Sequence, residues 1–238
     1  MNAPAPTSHE SWISALQPDT RTICRVTGEL IEGFQKMADL GPCVSLFGSS
    51  RIKPGHRYYK LATEVAEDLS KAGFGVITGG GPGIMEAGNK GAQSGTGSSI
   101  GLNLHFSFEE GSNPYIDPEK DMTFKYFFVR KVMFVKYSSA IVVFPGGYGT
   151  LDELFEALTL IQTEKITPVP VILVGSDFWS GLLDWLNSTL LSSFKTIGQP
   201  DLQRFQVVDS SEKVMEIIHR QPNSNRSHGI LQADPSKL

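Results

Sequence analysis

The chain has 238 residues, 40% of them hydrophobic and 19% charged, which suits one α/β domain with a sizeable core and excludes a disordered or collagen-like chain. The net charge of −4 argues against a nucleic-acid partner, because no basic excess is present to neutralise phosphates. No apolar run is long enough for a transmembrane helix, MNAPAPTSHE lacks the pattern of a signal peptide, and Cys24 and Cys43 read as buried thiols of a reducing compartment, so a cytoplasmic protein without membrane contact is expected.

Residues 1–18, rich in Pro, Ser and Ala, read as a flexible N-terminus. Over 19–40, Ile23, Val26, Leu30, Ile31, Phe34 and Met37 recur at helical spacing, with Asp19 or Thr20 as N-cap and Gly41-Pro42 as the stop. Strands and helices then alternate. A strand at 43–48 runs into Gly48-Ser49-Ser50, and a helix over 57–72 closes at Gly73. A strand at 74–78 runs into Gly79–Gly83, followed by a helix over 84–94 and a strand at 99–104. A long polar connection spans 105–121, then a strand at 122–128 and a helix at 129–137. The apolar strand 140–144 enters Pro145-Gly146-Gly147-Tyr148-Gly149-Thr150, and a helix follows with Leu151, Leu154, Phe155, Leu158 and Ile161 on one stripe. A strand at 169–174, a helix at 178–191 and a strand at 205–208 lead to a last helix, which Asp209 caps with Glu212 at the capping-box position. The tail over 221–238 is polar and reads as flexible, leaving 19–220 as a single domain.

Alternation with nearly all-apolar strands predicts an α/β fold, a parallel sheet with helices on both faces and an N-terminal helical extension. Ligands of such sheets bind at the carboxyl ends of strands, beside the switch in strand order. The glycine-rich loops 48–50, 79–83 and 145–149 each follow a strand and are therefore expected on one edge.

Glycines at Gly146, Gly147 and Gly149 bring backbone N–H groups close to a ligand, and the helix starting near Thr150 adds its positive end. This suits one phosphate. The GxxxxGK[ST] pattern is absent, as is the dinucleotide GxGxxG fingerprint with its distant acidic residue. Thr150 and Glu153 also have capping-box spacing, which alone accounts for both residues. The functional alternative places the Glu153 carboxylate one helical turn from the phosphate, facing the sugar. Arg130-Lys131 reads either as a solvated basic pair or, set among Phe127, Phe128, Val132 and Phe134, as a guanidinium for phosphate or ribose with a second cation beside it. Gly79–Gly83 with Glu86 reads either as a plain strand-to-helix turn with an exposed acid or as a second wall of a nucleotide pocket. Gly48, Ser49, Gly80, Gly81, Glu86 and Lys131 are accordingly substrate-binding candidates. The five histidines lack metal spacing, and no metal or cofactor is expected. Trp179 and Trp185 read as core or subunit interface.

Gly79–Gly83, Arg130-Lys131 and the PGGYGTLDE run over 145–153 together resemble the Lonely Guy family, whose PGGxGTxxE motif is far more specific than a lone glycine pattern. The similarity spans about residues 40–195, and the GGGPGIMEA run, the N-terminal helix and Ser112-Asn113-Pro114-Tyr115 resemble its longer, bacterial type. The resemblance implies a Rossmann-like fold assembled as a homodimer or dimer-based hexamer. It also implies hydrolysis of cytokinin riboside 5′-monophosphates, and of AMP, to free base and ribose 5-phosphate. By motif, Arg130 and Glu153 match the catalytic pair, and Gly146, Gly147, Gly149 and Thr150 the phosphate cradle. Members often carry a lysine decarboxylase label, yet no lysine here is placed for a pyridoxal Schiff base. Alternative readings are a purine 5′-monophosphate nucleosidase without a cytokinin role and a nucleotide-binding module without hydrolysis. A nucleic-acid-binding relative is disfavoured by the acidic balance.

Overall fold

The structure, a computed structural model, describes residues 9–105 and 111–220. The expected flexible tail and part of the 105–121 connection lie outside the described residues. Seven strands form one parallel sheet in the order β4-β3-β2-β1-β5-β6-β7. They are β1 Cys43–Phe47, β2 Gly75–Thr78, β3 Ser99–Leu104, β4 Asp121–Phe124, β5 Ser138–Val143, β6 Val171–Val174 and β7 Phe205–Val208. The chain winds outward from β1 to β4 and returns to β5 beside β1, with Val44 in register with Val76 on one side and Ala140 on the other. The order therefore reverses between β1 and β5.

The helices are α1 His9–Met37, α2 Arg57–Lys71, α3 Ile84–Ala92, α4 Phe127–Lys136, α5 Tyr148–Gln162, α6 Ser176–Trp185 and α7 Ser211–His219. Side-chain alternation divides the interior in two. Val44, Leu46, Ala140, Val142 and Phe144 meet the apolar stripes of α2, α3 and α7. Cys43, Phe47, Ile141 and Val143 face the opposite layer, which holds Met37, Met133, Leu154 and Trp179. Each fully buried aliphatic side chain contributes roughly 1.5–3 kcal/mol relative to exposure, so the two layers supply the main driving force. Trp179 also satisfies its indole N–H on the Val174 carbonyl at 3.1 Å, while Trp185 is half exposed.

Several local expectations change. The first helix starts at His9 and continues through Pro18, where the sequence reading places a flexible segment. Trp12, Ile13 and Leu16 carry helical spacing upstream of Asp19, so neither Asp19 nor Thr20 is an N-cap. Cys24 is exposed on α1, and only Cys43 is buried, its thiol pushed up to about 12 by desolvation. The strand expected over 122–128 stops at Phe124, and α4 begins at Phe127. The cause is tertiary: the Glu29 carboxylate of α1 accepts the N–H groups of Lys125 at 3.0 Å and Tyr126 at 3.2 Å. Asp209 does not cap α7. It accepts the Ser176 N–H at 2.7 Å, and Ser210 takes the N-cap position.

Candidate active site

All three glycine-rich turns leave the carboxyl ends of adjacent strands β2, β1 and β5. Backbone bonds stitch them together. Ser49 N–H donates to the Pro145 carbonyl at 3.0 Å, and the Ser49 carbonyl accepts from Ile84 N–H at 3.1 Å. Gly48 lies so close to Ile84 that a Cβ there would stand 2.5 Å from its Cγ2. Gly48 and Ser49 thus form the seam between the other two turns.

The β5–α5 turn is the most open of the three. Gly147 is the N-cap of α5, and the Leu151 N–H donates to its carbonyl at 3.0 Å. The amides of Tyr148, Gly149 and Thr150 precede that bond and have no acceptor within the helix. A Cβ on Gly146 would overlap the Thr150 hydroxyl, so the tight turn requires glycine there. Cβ atoms on Gly147 or Gly149 would meet nothing within 4 Å. Bare backbone therefore borders free space at the positive end of a fifteen-residue helix. The expected Thr150–Glu153 capping box is not formed: the helix begins two residues earlier, and Thr150 is buried against Gly146 inside the first turn.

One turn farther along α5, Glu153 is only 5% exposed, and its Oε1 accepts no hydrogen bond among the described residues. Arg130 of α4 faces it, with Nη2 at 3.9 Å. Burial drives the Glu153 carboxyl up to about 7, although Arg130 and Lys131 oppose the shift; Glu156 and Asp152 add to it. The guanidinium lies over the Phe127 ring at 4.8 Å and the Phe134 ring at 5.5 Å, and its Nη1 would be 3.7 Å from a Cβ on Gly79. Arg130, Glu153 and the second glycine turn are therefore brought together.

Lys131 turns elsewhere. Its side chain is 13% exposed, and the ammonium sits 2.7 Å from Asp152 and 2.9 Å from Glu156, which share one face of α5 at i, i+4 spacing. Burial works against its charge, but the hydrogen bonds to both carboxylates outweigh it and raise its pKa. That is the reverse of the neutral amine a Schiff base requires. Asp152 and Glu156 were not singled out from sequence, although their spacing on the motif helix is the signal that finds them. Glu86 is half-buried and accepts the Tyr59 hydroxyl at 2.6 Å, so it is neither a free surface acid nor an unengaged wall of the pocket. Gly80 and Gly81 present their carbonyls to Asn113.

A parallel sheet that reverses order at β1/β5, with glycine turns converging on that point, defines an α/β protein of the Rossmann-like class with an open glycine turn at its switch point. Residues 85–218, more than half of the chain, match the family described as "possible lysine decarboxylase", and the chain belongs to that family, the Lonely Guy family. It is 38% identical over 87 residues to the cytokinin riboside 5′-monophosphate phosphoribohydrolase of Mycobacterium tuberculosis, covering 34% of this chain and 42% of the relative. It is 29% identical over 144 residues to a pyrimidine/purine nucleotide 5′-monophosphate nucleosidase of Escherichia coli K12, covering 56% of this chain and 32% of the relative. The matched stretch thus spans less than half the length of either relative. The molybdenum cofactor binding protein of Rippkaea orientalis shares the fold, with a TM-score of 0.55 at 22% identity over 76% of this chain and 97% of that one.

Proposed function

We propose that the protein hydrolyses the N-glycosidic bond of nucleoside 5′-monophosphates, cytokinin riboside 5′-monophosphates and AMP among them, giving free base and ribose 5-phosphate. The observation that carries this reading is Glu153: a buried carboxyl with a pKa near 7, facing a guanidinium one helical turn from an unobstructed glycine turn. The relatives' activities point the same way.

In this mechanism the phosphate occupies the space bordered by Gly147, Gly149 and Thr150, where the amides and the helix dipole receive it. Its binding energy, remote from the reacting bond, places C1′ of the ribose near Glu153. As the C1′–N bond lengthens, its electron pair leaves with the base and positive charge builds on the sugar. The Glu153 carboxylate stabilises that charge. A water adds to C1′ as its proton passes to Glu153, and that proton is handed on to the departing base, which regenerates the carboxylate, so the overall change is addition of one water. A group titrating near neutrality suits this proton transfer. Arg130 holds phosphate or ribose oxygens and keeps Glu153 from staying protonated.

We place the enzyme in the cytoplasm as a homo-oligomer. A depression of about 570 Å³ over the outer face of α5, lined by Tyr148, Leu151, Phe155 and Leu160 beside the Lys131–Asp152 pair, is the surface a second copy would cover. Light scattering on the purified protein checks that assembly. The activity is tested by incubating the protein with a panel of 5′-monophosphates and the matching unphosphorylated nucleosides, and measuring free base and ribose 5-phosphate. The expected result is cleavage of the phosphorylated members alone. Equal cleavage of the nucleosides would remove the phosphate cradle from the mechanism, and no cleavage of any member would end the hydrolase reading.

A further inference from the structure

A closed ring of hydrogen bonds surrounds one residue of the second glycine turn. Gly80 N–H donates to the Thr78 hydroxyl oxygen at 3.0 Å. That hydroxyl donates to Asn89 Oδ1 at 2.5 Å, and Asn113 Nδ2 donates to the same oxygen at 2.9 Å. Asn113 closes the ring by donating to the Gly80 carbonyl, from Nδ2 at 3.0 Å and from its backbone N–H at 2.8 Å. Its side chain also reaches the Gly81 carbonyl at 3.2 Å. Thr78 and Asn89 are fully buried and Asn113 nearly so. Both polar backbone groups of Gly80 are therefore held, by the Thr78 and Asn113 side chains, and Asn89 bridges those two from a third segment.

The ring is firmly backed. Asn89 Nδ2 donates to the Ser99 hydroxyl at 3.0 Å and to the Ile100 carbonyl at 3.1 Å, and Asn113 Oδ1 accepts the Tyr115 N–H at 3.1 Å. Gly80 has φ +74°, and a Cβ there would overlap the Asn103 carboxamide, so any other residue would be strained there. A trans peptide points its N–H opposite to its C=O. Fixing the Gly80 carbonyl on Asn113 therefore aims the Gly81 N–H away from Asn113, in the turn whose Gly79 lies against Arg130.

We propose that Asn113 is a positioning residue for substrate binding: it reaches from the β3–β4 connection and, through Asn89 and Thr78, sets the peptide planes of the Gly79–Gly83 turn. It touches no reacting atom. Its role is to hold that wall of the site in one arrangement before the nucleotide arrives, so that ordering the turn is not charged against binding. This inference rests on the hydrolase reading above.

The test uses the full chain and the best-cleaved monophosphate of the panel. Asn113→Ala and Thr78→Val each open the ring at a different link. Either is expected to raise KM about tenfold or more while kcat changes less than about threefold, because uniform binding is lost and the chemical step is kept. The double variant is expected to match the singles, since one opened link already frees the turn. Thr78→Ser keeps the hydroxyl and is expected to restore KM. The ascending limb of the pH profile, set by Glu153, is expected to stay in place. Should Asn113→Ala not fold, the Thr78→Val and Thr78→Ser pair carries the same comparison. Unchanged KM in the ring-opening variants, a loss confined to kcat, or multiplicative effects in the double variant would overturn the proposal while leaving the hydrolase reading intact. A wild-type protein inert toward the whole panel would overturn both.

Discussion

Two neighbouring cations of α4 reach across to carboxylates of α5, and their ion pairs are built differently. Lys131 sits 2.7 and 2.9 Å from two carboxylates that still reach solvent. Arg130 stands 3.9 Å from a single carboxylate that is almost fully buried. The first arrangement brings its charges to contact distance and ties the helices together. The second leaves a carboxyl poised near neutrality because desolvation outweighs the nearby cations. A close, partly solvated pair is architecture, whereas a wider, buried one retains the capacity to take a proton or a ligand.

The sharpest way to break this contrast is Glu153→Gln, which keeps shape and removes the charge. Base release is expected to fall by about 10³-fold, with monophosphate binding by calorimetry changed only slightly. Near-normal turnover in that variant would falsify the role assigned to Glu153. Next comes Arg130→Lys, which retains a cation but loses the planar two-point fork and its seat on Phe127 and Phe134. A loss of about 10–100-fold in kcat/KM is expected.

The pH dependence is the third test. An essential carboxylate with a pKa near 7 in the free protein predicts that kcat/KM rises about tenfold per pH unit below 7 and levels above it. Stability runs the other way. The folded pKa lies above the ordinary carboxylate value of 4.5, so this group's favourable contribution is complete below that value and is lost as pH rises through about 7. Denaturant unfolding should therefore show Glu153→Gln gaining on the wild type between pH 5 and pH 8.5, by at most about 3 kcal/mol. The smallest effect is expected from Lys131→Met. It frees Asp152 and Glu156 from their clamp, costing about 1–2 kcal/mol in unfolding measurements. It also removes a cation that lowers the Glu153 pKa, so the ascending limb should move to higher pH by a fraction of a unit.

The parallel fold and the three converging glycine turns were legible in the amino-acid order, because they depend on local features, apolar continuity and glycine placement, whereas the pairing of Arg130 with Glu153 followed only from the resemblance to the family. Residues whose partners lie far along the chain were read less well. Lys131 looked like a second substrate cation until α5 supplied Asp152 and Glu156. Glu86 looked exposed until Tyr59, from another helix, donated to it. Thr150 and Glu153 fit a capping box by spacing, yet Gly147 starts the helix, and burial turns Glu153 from a cap into a group with a shifted pKa.

Residue order by itself determined that this chain forms an open α/β sheet with a glycine turn after β5, since periodicity and glycine placement act over a few residues. Tertiary structure alone decided which charges are satisfied and which remain poised. It also decided that Asn113 of the β3–β4 connection closes on a turn thirty-three residues earlier. Desolvation and hydrogen-bond partnership depend on what the fold brings alongside a side chain, and neighbours in sequence do not carry that information.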